Sequence, residues 1–252
     1  MDRTQIGING LDEALNGGIP KGNIVLIAGG AGTGKSTLAM QFLVNGAEKF
    51  KEKGLYITTE QKKEDLEKQA AQYGWNLPAL QKAGKLAIFY LDTLVEKNHI
   101  PVLEEVIEKV SPQRIVIDSM TTLTDNLAIT DFKDTTGFSM VQVMDNVVPT
   151  PLSEKLITKN VLYNLINMLK TKYQATVFLT SELYEDAKGL SADGVSEFIC
   201  DGVIKLDYLG VGSAEYRSLL IRKMRYTKHQ KDYVPYDIEN NGISVKKEEI
   251  FK

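Results

Sequence analysis

Apolar residues are distributed along this chain in two rhythms. Short runs of consecutive apolar residues, bounded by Gly, Pro or Asn, predict buried strands at Ile24 to Ala28, Leu55 to Thr59, Leu86 to Leu91, Ile115 to Ile117 and Thr176 to Thr180. Between them lie longer stretches in which apolar positions recur every third or fourth residue, and these predict helices at Lys35 to Glu52, Lys62 to Tyr73, Ile100 to Val110 and Glu154 to Lys172. Alternation of this kind belongs to the α/β class, with a mostly parallel sheet covered by helices. After Asp201 the rhythm changes: Val203 to Leu209 and Tyr216 to Met224 flank a turn at Gly210 to Ala214 with no helix between, which predicts an antiparallel hairpin added to the core. The stretch from Ser119 to Glu154 fits neither rhythm and is too long for an ordinary connection, so it is expected to be a loop insertion. Its Phe132, Phe138, Met140, Val141, Val143 and Met144 suit either packing on a neighbouring helix or a partner-binding or pore-lining element.

Composition narrows the class without changing it. The 252 residues are 43% hydrophobic and 25% charged, within the usual range for globular chains, and are enough for one large domain over residues 1–252. A net charge of −3 supplies no general attraction for nucleic acid or an anionic membrane. One cysteine excludes an intramolecular disulfide, and with two histidines the chain lacks the ligands of a Cys/His zinc site. No run approaches membrane-spanning length and the N-terminus does not read as a signal peptide, so a cytoplasmic location is expected.

The chemistry is concentrated in residues 29–36, GGAGTGKS, which satisfy GxxxxGK[ST] directly after a predicted strand and directly before a predicted helix. Glycines there let successive backbone amides converge on phosphate oxygens, and the following helix turns its positive end to the same anion. The segment Gly30, Ala31, Gly32, Thr33, Gly34, Lys35, Ser36 and Thr37 is therefore the candidate ATP cradle, with Lys35 as a point charge for the outer phosphates. The Ser36 hydroxyl and Asp118, which ends the strand RIVID, are candidate Mg2+ ligands. Hydrolysis also needs a group that orients water. Asp118 is followed by Ser119, so the acidic pair of many motor ATPases is absent, and Glu60 at the end of Leu55 to Thr59 is the candidate catalytic base. No NKxD segment is present to read guanine.

Only five of the thirty basic residues are arginine, and Arg217, Arg222 and Arg225 fall within nine positions. Lys223 and Arg225 leave the same face of a predicted strand. They are either a solvated basic edge that discourages strand pairing or a pair of fingers that neutralise γ-phosphate charge, in trans if subunits pack side by side.

An ordered set of segments, GINGLDEALNGGIPKG, GGAGTGKS, YITTEQ, YGW, VIDS, LTSE, GVSEFICDGVIKL and KMRYTKH, resembles the KaiC-like branch of the RecA/RadA ATPase superfamily over nearly the whole chain outside the Ser119 to Glu154 loop. The resemblance implies a RecA-type P-loop core that binds ATP at subunit interfaces in a homo-oligomeric ring, possible as a hexamer. It implies that Glu60 is the catalytic glutamate, that Asp118 is the Walker-B aspartate, and that Thr180 with Ser181 senses the γ-phosphate. It further implies that Lys223, Arg225 and His229 form a finger segment reaching a neighbour's nucleotide. Three positions depart from the pattern. Gln61 stands where many relatives have a second acid, which bears on the rate of hydrolysis. Clock KaiC has two fused domains where this chain has one. Glu197 and Phe198 stand where its autophosphorylated domain carries Ser and Thr, so autokinase activity is not expected there.

Recombinases of the superfamily hold single-stranded DNA with two central loops, which phosphate binding requires to be basic. Here Asp125, Asp131, Asp134 and Asp145 face one base, Lys133, in the first loop. In the second, Glu182, Glu185, Asp186, Asp193, Glu197 and Asp201 face Lys188. The first expected core segment, GINGLDEALNGGIPKG, starts at Gly7, so a RadA-type N-terminal domain is not expected. The expectation is a regulatory or assembly ATPase with an unnamed protein partner. The alternatives are a RadA-paralogue accessory in DNA repair and a nucleotide-binding scaffold with negligible turnover.

Overall fold

The computed structural model describes residues 1–96, 99–124, 150–184, 189–211 and 214–246. Most of the long loop and part of the second acidic loop lie outside the described residues. The described chain runs as β1 (Arg3–Thr4), α1 (Leu11–Ala14), β2 (Ile19–Pro20), β3 (Ile24–Gly29), α2 (Lys35–Asn45), β4 (Gly54–Thr58), α3 (Lys63–Gln72), α4 (Leu77–Lys82) and β5 (Leu86–Tyr90). It continues through α5 (His99–Val110), β6 (Arg114–Asp118), α6 (Thr150–Lys172), β7 (Thr176–Glu182), α7 (Ser196–Ile199), β8 (Gly202–Val211), β9 (Ala214–Met224), β10 (Val234–Glu239) and β11 (Gly242–Val245).

Nine strands form one sheet in the order β11-β10-β9-β8-β3-β7-β6-β4-β5. From β8 to β5 all neighbours are parallel, whereas β8, β9, β10 and β11 pair antiparallel in turn. The apolar runs of β3, β4, β6 and β7 are buried on both faces because helices cover both. The pleat sorts their side chains: Val25 and Ile27 pack with Leu38, Phe42 and Leu77 of α2 and α4. Ile24, Leu26 and Ala28 face the other way, onto Leu103 and Ile107 of α5 and Leu162, Leu165 and Leu169 of α6. The Phe42 and Phe178 rings stack at 4.1 Å under the first helical layer.

One expectation needs correction. The helix after the phosphate loop does not continue to Glu52: α-geometry ends at Asn45 and a π-turn, Gly46–Phe50, replaces it before Lys51 closes the turn at φ 57°. Arg114 is the cause. Its buried guanidinium donates Nη1 to the Phe42 carbonyl at 2.8 Å and Nε to Glu52 at 2.6 Å. It also lies over the rings of Phe42 and Phe50, so the helix must widen around it. Beyond the predicted hairpin, β10 and β11 make a second hairpin on the edge of β9.

Candidate active site

Four parallel strands deliver their carboxyl ends to one place. Gly29 of β3 is level with Glu182 of β7, and Thr58 of β4 is level with Asp118 of β6. This is the end of an open parallel sheet where connecting loops can close on a ligand. The loop 29–36 leaves β3 there. Gly34 caps α2 in the left-handed region at φ 91°, a conformation that only glycine adopts without strain. Within the loop the Thr33 hydroxyl and the Lys35 ammonium both donate to the Gly30 carbonyl, at 2.9 and 3.0 Å. Ala31 and Gly32 are exposed at the tip, while Thr33 is buried beneath it.

Asp118 is held by two hydroxyls, one from Tyr56 of β4 and one from Thr180 of β7. Tyr56 and Ser36 line the same hollow, so the phenol that holds Asp118 lies beside the other candidate metal ligand. Burial, and then the Asp118 charge, push the Tyr56 phenol well above its ordinary value. It therefore stays protonated, as a donor to the carboxylate requires. A hydroxyl and a carboxylate are hard oxygen donors that suit Mg2+, which takes one or two carboxylates and completes its shell with water and nucleotide phosphates. Among the described residues no cluster of three His, Cys, Asp or Glu could hold a metal alone.

Glu60 follows β4 and its Oε1 accepts from the hydroxyls of Ser119 and, at 2.8 Å, Thr122. Ser181 is buried beside Thr180, and its hydroxyl accepts from the Ala192 amide at 3.1 Å. Burial lowers the Lys35 ammonium from its ordinary value, opposed by Glu182, Asp118 and Glu60. Three carboxylates from three strand ends thus act on one ammonium. Sequence reasoning treated Glu182 only as a loop acid and passed over Tyr56, Ser119 and Thr122. The signals were present: Tyr56 interrupts an apolar run with a hydroxyl, and Ser119 and Thr122 follow Asp118 closely.

Lys223 and Arg225 are elsewhere. Met224 is level with Gly202, which pairs with Val25, and the Arg225 amide donates to the Asp201 carbonyl at 2.8 Å. That is the amino end of β3, about 16 Å along the strand from the phosphate loop at the usual rise per residue. Lys223 Nζ donates to the carbonyls of Glu197, Phe198 and Cys200, the last at 2.6 Å, and so closes the end of α7. Arg225 donates to the Asp201 carboxylate at 3.3 Å and the Phe198 carbonyl at 3.4 Å. His229 is half-buried at the same end, its Nδ1 2.8 Å from the Gln230 carbonyl. The structure brings Lys223 and Arg225 together beside α7 and Asp201, away from the chain's own phosphate loop, while His229 lies with Glu13, Ala14 and Asn16.

The family model described as "ATPase: KaiC" matches residues 4–135 and 128–250. The chain belongs to the KaiC ATPase family. Its kinship with other KaiC-like proteins extends over the full fold. A UPF0273 protein of Methanocaldococcus jannaschii is 31% identical over all of this chain and 99% of its own length. The circadian clock oscillator protein KaiC of Parathermosynechococcus lividus is 31% identical over 97% of this chain, which spans only 42% of that protein. The crystal structure of a KaiC-like protein from the hyperthermophilic archaeon Pyrococcus horikoshii superposes with a TM-score of 0.78 at 34% identity, covering 98% of this chain and 99% of that one. This KaiC-like chain is accordingly a RecA-type P-loop protein of an ATP-binding ATPase family. Among its described residues no helix is long and apolar enough to cross a membrane.

Proposed function

We propose that this chain binds ATP with Mg2+ in the loop 29–36 and hydrolyses it at interfaces between identical subunits, as a regulatory or assembly switch. The observation that carries the reading is the separation just described: the basic pair Lys223 and Arg225 and the phosphate loop occupy opposite ends of β3. A head-to-tail contact, which closes into a ring when its rotation allows, would bring one subunit's basic end to the next subunit's phosphates.

In this reading Lys35 and the loop amides bind the outer phosphates, and Ser36 and Asp118 hold the metal, which screens the charge that develops on them. Glu60, with Oε1 fixed by two hydroxyls, keeps Oε2 for the attacking water and takes up its proton. Ser181 and Thr180 lie where the γ-phosphate would end. Lys223 and Arg225 must leave their own α7 carbonyls and Asp201 to serve the neighbour, and His229, four residues on, would complete the finger segment.

The test is to measure ATPase rate and oligomeric mass with and without nucleotide and single-stranded DNA. ATP-dependent assembly with turnover that DNA leaves unchanged is expected. Turnover that rises with DNA and falls steeply with salt would instead indicate the repair accessory, and binding without turnover the scaffold.

A further inference from the structure

The antiparallel strands are not only an extension of the sheet; they form the wall behind the phosphate loop. Tyr208 of β8 donates its hydroxyl to the Gly32 carbonyl at 2.9 Å, and Tyr236 of β10 donates to the Thr33 carbonyl. Both peptides are trans, so the N–H of each next residue points opposite to the bonded carbonyl. We propose that Tyr208 and Tyr236 are positioning residues for nucleotide binding: by drawing the Gly32 and Thr33 carbonyls back toward the sheet, they aim the Thr33 and Gly34 amides at the phosphates.

The wall is rigid. Tyr236 is 1% exposed, and burial raises its phenol, which therefore remains a donor. Arg217 lies directly across the strand pair from Tyr208 and stacks its guanidinium 5.3 Å from that ring's centroid. Ile238 shares a face of β10 with Tyr236 and abuts Gly34, where an added Cβ would stand 2.8 Å from its Cδ1. The Gln41 side chain bonds the amide and carbonyl of Ile243 at 2.7 and 3.1 Å, tying β11 to the helix that follows the loop. A nest of amides binds an anion well only when their orientation is set beforehand, because ordering them on binding would cost affinity.

The inference rests on residues 29–36 being the phosphate site. Tyr208→Phe and Tyr236→Phe each remove one hydroxyl and keep the ring. Titration calorimetry with Mg-ADP and with inorganic pyrophosphate is expected to show about 2- to 10-fold weaker binding for each, the worth of one hydrogen bond, and a larger loss for the pair. KM for ATP should rise by the same factor with kcat nearly unchanged, the sign of lost uniform binding. The melting temperature without nucleotide should stay near that of wild type, and Tyr216→Phe, an exposed tyrosine on β9, should bind as wild type. Unchanged ADP and pyrophosphate affinity in the variants would overturn the proposal, as would affinity lost only in step with melting temperature. If Tyr236→Phe does not fold, Tyr208→Phe decides, since its ring is 36% exposed. A wild-type chain that binds no ADP would overturn the nucleotide reading as well, whereas binding shared equally by wild type and variants overturns this inference alone.

Discussion

At the scale of single residues, the proposed roles of Lys35 and Glu60 predict that binding and turnover can be separated. Lys35 bonds the loop's own Gly30 carbonyl and feels three carboxylates, so its removal leaves the phosphates without their counter-charge. Lys35→Ala is expected to weaken ATP by about 2–5 kcal/mol, the usual cost of truncating one partner of a buried charge pair. Glu60→Gln keeps the hydrogen bonds from Ser119 and Thr122 but cannot take a proton. ATP affinity should hold while turnover falls about 10²- to 10⁴-fold; equal losses in affinity and rate, measured side by side, would remove Glu60 from water activation. The candidate cradle was legible because GxxxxGK[ST] is a dense local motif whose chemistry is mostly backbone. The hydroxyls of Tyr56 and Thr180 on Asp118 were not, because they come from strands far apart in the chain.

At the scale of elements, boundaries depended on partners that periodicity does not see. The strands of the parallel core lie within a residue or two of where apolar runs predict them, since burial on both faces writes itself as uninterrupted apolar sequence. The second hairpin escaped notice because β10, VPYDIE, contains a proline and two acids, with only Val234, Tyr236 and Ile238 marking period two. The early end of α2 was hidden for another reason: Arg114 sits 68 positions beyond Gly46 in the sequence and reaches it only through the fold. An alanine Cβ at Gly46 would lie 2.5 Å from Arg114 Cδ, and that side chain is pinned by Phe42 and Glu52. Helix propensity alone favours Gly46→Ala by about 1 kcal/mol. Overpacking costs about 1–3 kcal/mol and is the larger effect, so a lower chemical-denaturation midpoint is expected; a raised one would show that Arg114 can give way.

At the scale of the whole molecule, the phosphate loop and the basic pair lie at opposite ends of β3, and a lone subunit holds that pair on Phe198, Cys200 and Asp201. If fingers act in trans, mixing Arg225→Ala with Glu60→Gln subunits rebuilds an intact interface wherever the first supplies the phosphate loop and the second the finger. A random 1:1 ring should then recover roughly a quarter of wild-type ATPase from two inactive proteins. No recovery in mixtures shown to co-assemble would assign Arg225 a role within its own chain. Sequence by itself determined the α/β class, the phosphate loop and the acids at the strand ends, because strand burial and phosphate cradles are written in short contiguous patterns. Only the tertiary structure decided that two tyrosines from the antiparallel strands back the loop, that Tyr56 and Thr180 hold Asp118, and that Lys223 and Arg225 lie at the opposite end of β3 from their own phosphate loop. Those are relations between segments distant in sequence, and they are set by strand order and register, which no local pattern encodes.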